Sequence, residues 1–238
     1  MKSSSITSLP KQSTLSERVF ETLKEAIVAG TLPQGSKITE DELAKQYGIS
    51  RGPLREAIRR LESLRLLERV PRAGMKVITL TTAMMGEIYT IREALEGMSA
   101  RLAANNMTEA EIYELQQLLV KHESNIQQSE GKEYFQREGD LDFHFCIAQA
   151  SNNKWLMQLL SNELYQLLRM CRHRSSQTPE RPIKALNEHK QIVEAIAQRD
   201  PELAEILMRR HISGAWKIVQ EIMQQEDQAH CQTENQGK

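Results

Sequence analysis

Aromatic side chains make up only 5% of this 238-residue chain, so aliphatic residues and methionine must fill most of any core, which favours helices. Cysteine is also scarce. Cys146, Cys171 and Cys231 are odd in number and form no CxxC pair, which argues against a disulfide framework and for a reducing compartment. No apolar run is long enough to span a bilayer, and the opening MKSSSITSLPKQST is polar, without a signal-peptide pattern. These absences lead to a cytoplasmic assignment. Excess charge is missing too: 31 Lys and Arg against 32 Asp and Glu leave a net −1, so any basic footprint must be local. The length suits one large domain or two smaller ones, and two are expected.

Residues 1–13 read as a flexible tail. From Ser16, the apolar Val19, Phe20, Leu23, Ile27 and Val28 follow helical spacing up to Gly30. EDELAKQY and RGPLREAIRRLESLRLL predict two further helices joined by GIS, with Leu54, Ile58, Leu61 and Leu64 on one face of the second. That arrangement is a helix-turn-helix. LERV and MKVITL are β-prone runs around the turn PRAG, a hairpin of the kind called a wing. A first domain is therefore expected over 14–79.

From 80 to 225 the pattern is helical throughout, starting with Ile88, Ile91, Leu95, Met98 and Leu102. Thr108 and Glu111 form a capping box, Asn152 or Asn153 caps a later helix, and Asp200-Pro201 opens another. Six or seven helices in an all-α bundle are expected. The polar residues 226–238 are expected to be disordered. The fold class is thus mainly α, a winged helix-turn-helix followed by a helical bundle.

Between Arg51 and Lys76 stand Arg51, Arg55, Arg59, Arg60, Arg65, Arg69, Arg72 and Lys76, against only Glu56, Glu62 and Glu68. The start of a recognition helix meets base edges and phosphates in the major groove, where an arginine fork fits guanine O6/N7 or a phosphate. Arg51 and Arg55 sit there one turn apart, Arg59 extends the row, and Arg72 at the wing tip would reach the minor groove or backbone. A single arginine on an exposed face usually only solvates it. Here the helix-turn-helix, the wing and the charge excess agree, and double-stranded operator DNA is the expected partner.

The stretch ITEDELAKQYGISRGPLREAIRRLESLRLLERVPRAGMKV resembles the winged helix-turn-helix of GntR-type bacterial regulators, whose serine-arginine-x-proline-φ-arginine-glutamate-alanine string is present as Ser50 to Ala57. The resemblance implies that Arg51 and Arg55 carry the main DNA contacts and that Gly74 is the wing glycine. Asp41 departs from it, since some relatives have an arginine there, and no DNA contact is carried over to that position.

DLDFHFCIAQASNN, beginning at Asp140, sets Asp140 and His144 four residues apart, on one face of a helix. On this fragment alone a hydrogen-bonded pair at a core edge is the better reading, because two ligands do not hold a metal. His189 shares a stripe with Ile192, Val193 and Ile196, and His211 is in register with Leu203, Leu207 and Gly214, so both would face inward. Singly, each is more often a core-edge histidine than a ligand. Together the four are what a metal site in a bundle core requires.

IYTIREALEG, DLDFHFCIAQASNN, NEHKQIVEAI and MRRH resemble, in order and spacing, the FCD effector domain of the FadR subfamily of GntR regulators. With the N-terminal match, the resemblance covers nearly the whole chain except its two tails. In metal-containing FCD domains an aspartate and three histidines bind zinc or a similar divalent ion, which implies Asp140, His144, His189 and His211 as ligands. One oxygen and three imidazoles suit zinc, nickel or another transition metal. An open coordination position would accept a small carboxylate, with an arginine completing the clamp. Arg92 is chosen, at a position where the family often has an arginine, while Arg169 and Arg172 are read as solvated helix ends. Asn187 and Trp216 are candidate cavity walls.

The expected protein is a ligand-responsive transcription factor and not an enzyme. Its helical domain would bind a metal and an organic acid, changing how a homodimer grips a palindromic operator. It is taken as a repressor. A metal-dependent hydrolase is an alternative, since Asp and His ligands with an open position activate water. A constitutive DNA-binding protein with a purely structural metal is another. No extra general base stands out near the ligands, and a hydrolase would leave the winged domain unexplained.

Overall fold

The side chain of Thr14 accepts from the Glu17 N–H and caps α1 (Leu15–Val28), one residue ahead of the expected start at Ser16. The computed structural model describes residues 14–129, 142–176 and 181–236. The tail expected over 1–13 lies outside them. Two compact units follow each other along the chain, 1–78 and 79–238.

In the first unit, Thr39 caps α2 (Glu40–Tyr47), and Gly48 ends it in the left-handed region at φ 62°, a conformation glycine adopts without strain. The chain turns at once into α3 (Arg51–Ser63), which packs on α1. Leu54 and Leu61 are fully sequestered, each stabilising the unit by about 1.5–3 kcal/mol. β1 (Lys37–Ile38), β2 (Leu67–Val70) and β3 (Gly74–Val77) form an antiparallel sheet in the order β1-β3-β2, with Val70 opposite Gly74. The expected wing is the β2-β3 hairpin. β1 was not expected, because two residues with one buried side chain, Ile38, carry no readable alternation.

The second unit contains α4 (Thr82–Asn106), α5 (Glu109–Gln128), α6 (Phe143–Ala150) and α7 (Lys154–Gln158), followed by a π-helical turn (Leu159–Glu163). Then come α8 (Tyr165–Ser176), α9 (Arg181–Ala197) and α10 (Pro201–Gln236). No strand occurs here among the described residues. The capping box of Thr108 and Glu111 is formed, and its hydrogen bonds hold the Glu111 carboxyl below its ordinary range. Asn153, rather than Asn152, caps α7, and Asp200 Oδ1 accepts from the Leu203 N–H at the start of α10.

Helix α4 lies along α10 and also touches α6 and α9. The approach to α10 is close at Gly97, where a Cβ would come within 2.7 Å of Arg209 Cγ. The chain after residue 225, expected to be disordered, instead continues α10 as helix through Gln236. Gln, Glu and Ala are good helix formers, and extending an existing helix requires no new nucleus. No helix among the described residues is long and apolar enough to cross a membrane.

Candidate metal centre and DNA-reading face

Helix α6 supplies His144, α9 supplies His189 and α10 supplies His211, all buried, with candidate ligand atoms within 4.8 Å of one another. The two Nε2 atoms of His189 and His211 are 3.2 Å apart, and the Phe143 ring stacks on His189 at 4.0 Å. The stripe that buries His211 is Ala204, Met208 and Ile212, not the expected Leu203, which is exposed. Asp140, the fourth expected ligand, lies outside the described residues.

Carboxylates stand behind two of these rings. Nδ1 of His211 is 2.6 Å from Glu188 Oε2, itself 2.7 Å from Arg181 Nη1. An ionised Glu188 must accept there, so Nδ1 carries the proton and Nε2 is left bare as a donor to a cation. Burial would raise Glu188, but His211 and Arg181 hold it below its ordinary range. Nδ1 of His144 lies 2.5 Å from Glu96 Oε2, and Glu96 Oε1 accepts from Arg92 Nε at 2.8 Å. A buried row thus runs Arg92, Glu96, His144.

Burial dominates the titration of all three imidazoles. It lowers His144 against the pull of Glu96, takes His189 well down with help from His211 and His144, and pushes His211 down to about 4. They are neutral at physiological pH, the state that binds a metal. Burial would raise Glu96, yet Arg92 and His144 hold it well below the ordinary carboxylate range. Arg92 therefore stays charged inside the bundle, and its Nη1 has no hydrogen-bond partner among the described residues. An unpaired buried donor is costly, and a carboxylate would satisfy it.

Asp142 is the N-cap of α6. It accepts from the His144 N–H at 2.9 Å, the Tyr165 hydroxyl at 3.2 Å and Arg172 Nη1 at 2.8 Å, and so anchors the start of α6. Arg172 is therefore no solvated helix end, and Arg169 is buried with Nη1 donating to Gln166 Oε1 at 3.1 Å. Both expectations failed because the fold supplies acceptors, Gln166 to Arg169 and Asp142 to Arg172. Asn187 is exposed, and Trp216 packs on Tyr89 with ring centroids 5.2 Å apart. A cavity of about 10 Å³ borders Glu96, His144, Tyr165 and Arg172.

Sequence reasoning missed Glu96, Glu188, Arg181 and Asp142. Local signals existed for Glu96, which follows Arg92 by one helical turn, and for Asp142, an N-cap residue type directly before FHFCIAQA.

In the first unit, Arg51 and Arg55 project from the start of α3, exposed, with Arg59 one turn further on. Arg51 Nη2 is 2.8 Å from Asp41 Oδ1, and Arg55 Nε donates to Glu40 Oε2 at 2.8 Å. Arg60 lies instead over the Phe20 ring, 3.7 Å from its centroid, where it packs the α1-α3 contact. Arg72 is exposed at the hairpin tip with φ 65°, and Gly74 follows with φ 87°, a conformation that favours glycine.

Residues 15–77 match the family described as bacterial regulatory proteins, gntR family, and residues 87–214 match the FCD domain. The chain is 30% identical over 207 residues to the uncharacterized HTH-type transcriptional regulator YdhC of Bacillus subtilis (strain 168), across 87% of this chain and 91% of that one. It is 32% identical to the probable D-xylose utilization operon transcriptional repressor of Paenarthrobacter nicotinovorans, across 85% and 88%. To the gluconate operon transcriptional repressor of Bacillus licheniformis it is 31% identical, across 78% and 77%. The solved structure of E. coli McbR/YncC shares its fold, with TM-score 0.69 and 24% identity over 87% of this chain and 98% of that one. The chain belongs to the GntR family of bacterial transcriptional regulators, with a DNA-binding winged domain and a C-terminal FCD domain, and is not an enzyme.

Proposed function

We propose that this regulator is a metal-containing repressor that responds to a small organic acid. His144, His189 and His211 hold a divalent ion, zinc or a similar transition metal such as nickel, with Asp140 as fourth ligand on the family resemblance. The donor set fits: three neutral buried imidazoles converge, and Glu188 leaves His211 with a bare Nε2. Arg92 clamps the carboxylate of the effector. The observation that carries this reading is the buried row from His144 through Glu96 to Arg92, which ends in the unpaired Nη1.

A cavity of about 10 Å³ has room for roughly one water. An organic acid must therefore displace side chains to enter, and Arg172 at its wall, more exposed than Glu96, is the first to move. A ligand that favours one arrangement of a protein shifts its equilibrium by its differential affinity and by nothing else. Operator DNA is read by Arg51 and Arg55, with Arg59, Arg72 and the Gly74 wing on the backbone and minor groove. The protein works as a homodimer on a two-fold operator in the cytoplasm. Ile91 and Met98, seven residues apart on α4, are exposed apolar side chains of the kind a second copy would cover.

The test is a thermal-shift screen of zinc-loaded protein against gluconate, citrate and other small carboxylic acids, followed by operator titration. The binding acid should change operator affinity by about 5- to 150-fold, and operator should change acid affinity by the same factor. Arg92→Lys keeps the buried charge but loses the fork, so acid binding should weaken while metal content holds. An acid that binds zinc-loaded protein yet leaves operator affinity unchanged would reduce the metal to a structural part.

A further inference from the structure

The two reading arginines are not bare. Glu40 and Asp41 are the first residues of α2, and the Gly48-Ile49-Ser50 connection lays one carboxylate against each guanidinium, Glu40 on Arg55 and Asp41 on Arg51, both at 2.8 Å. All four side chains are open to water. Exposed ion pairs add little to stability and exchange readily, so fold stability is a poor explanation for two of them side by side.

The atoms engaged point to a different role. Glu40 takes the Nε of Arg55, which leaves the two terminal nitrogens, an edge that can meet guanine O6 and N7. A guanidinium already held by one edge loses less side-chain freedom on meeting a base. Glu40 leaves that edge of Arg55 open, whereas Asp41 takes the terminal Nη2 of Arg51 and leaves Nη1 for a guanine acceptor. A carboxylate beside either guanidinium also repels phosphates, which weakens sequence-independent binding.

We propose that Glu40 and Asp41 are positioning residues for base reading, holding Arg55 and Arg51 toward guanine edges and suppressing their use as plain phosphate contacts. The winged domain thereby gives up overall DNA affinity in return for selectivity. This rests on the reading that Arg51 and Arg55 contact DNA, and the test separates the two ideas.

The full-length protein first selects its preferred duplex from a random pool. Fluorescence anisotropy across a salt series then compares that duplex with a scrambled one for wild type, Arg51→Ala, Arg55→Ala, Asp41→Glu and the double variant Glu40→Gln/Asp41→Asn. The double variant should bind scrambled DNA more tightly, with a salt slope steeper by about 1 for each freed arginine. Its ratio of selected to scrambled affinity should fall roughly 3- to 10-fold, while Asp41→Glu, which keeps the carboxylate, should hold the wild-type ratio. If the two acids serve only the dipole of α2, the double variant will melt lower and bind both duplexes equally weakly. That result, or an unchanged ratio, overturns the proposal while leaving the arginine contacts standing. Wild-type ratios in Arg51→Ala and Arg55→Ala would overturn the contacts themselves, and the proposal with them.

Discussion

The two units set the same chemistry, arginine against carboxylate, at opposite extremes of exposure. The Arg51 and Arg55 side chains are 64% and 57% accessible, whereas Arg92 and Glu96 are 1% and 4%. Each contact is 2.8 Å, so distance does not distinguish them and environment must. In water the attraction is screened, and either partner can be exchanged at little cost. Inside the bundle, losing one partner strands the other as an uncompensated charge. The exposed pairs suit a surface whose guanidiniums remain open to a second partner, and the buried pair suits a fixed support behind His144.

The largest expected effect follows from this contrast. Arg92→Ala should lower the unfolding free energy by about 3–5 kcal/mol, because Glu96 is left buried without the arginine charge that faces it. Arg55→Ala, measured by the same urea titration, should leave the midpoint where it was. Equal losses at the two positions would break the comparison. Arg92→Ala is for the same reason a poor probe of effector binding, and Arg92→Lys is the better one.

A smaller effect, on binding alone, is expected at the reading face. Arg51→Ala or Arg55→Ala should cut discrimination between operator and scrambled DNA about 5- to 150-fold, the loss of one base contact, with no change in melting. A drop in stability of either variant would mean that its ion pair supports the fold. The smallest effect sharpens the picture of the wing. Gly74 has φ 87°, and a Cβ there would meet nothing closer than Lys37 Cε at 3.9 Å, so Gly74→Ala tests backbone strain without a clash. It should cost about 1–2 kcal/mol of winged-domain stability by chemical denaturation.

The helix-turn-helix, the hairpin and the capping box were legible because their signals are local: apolar spacing, a glycine between two helical runs, a threonine three residues before a glutamate. His144, His189 and His211 were legible as a set only through their inward spacing and the family resemblance. Their supports were not. Glu96 sits one turn from Arg92 in plain view, but whether that row faces His144 depends on the rotation of α4, which periodicity leaves loose by a residue or more. The same looseness put His211 in register with the exposed Leu203. Arg169 and Arg172 were misread because charge alone suggests water, whereas Gln166 and Asp142 offered acceptors that only packing reveals. The extension of α10 was missed because polar composition says little about a segment joined to an existing helix.

The account stands most directly on the three imidazoles, and elemental analysis of purified protein tests them. Wild type should carry close to one divalent ion per chain. His189→Ala and His211→Ala should lose most of it, since each removes a ligand supplied by a separate helix, while Arg55→Ala should keep it. Wild-type protein that is metal-free as purified, and takes up neither zinc nor nickel on reconstitution, would contradict the account and leave His144, His189 and His211 as packed, hydrogen-bonded core.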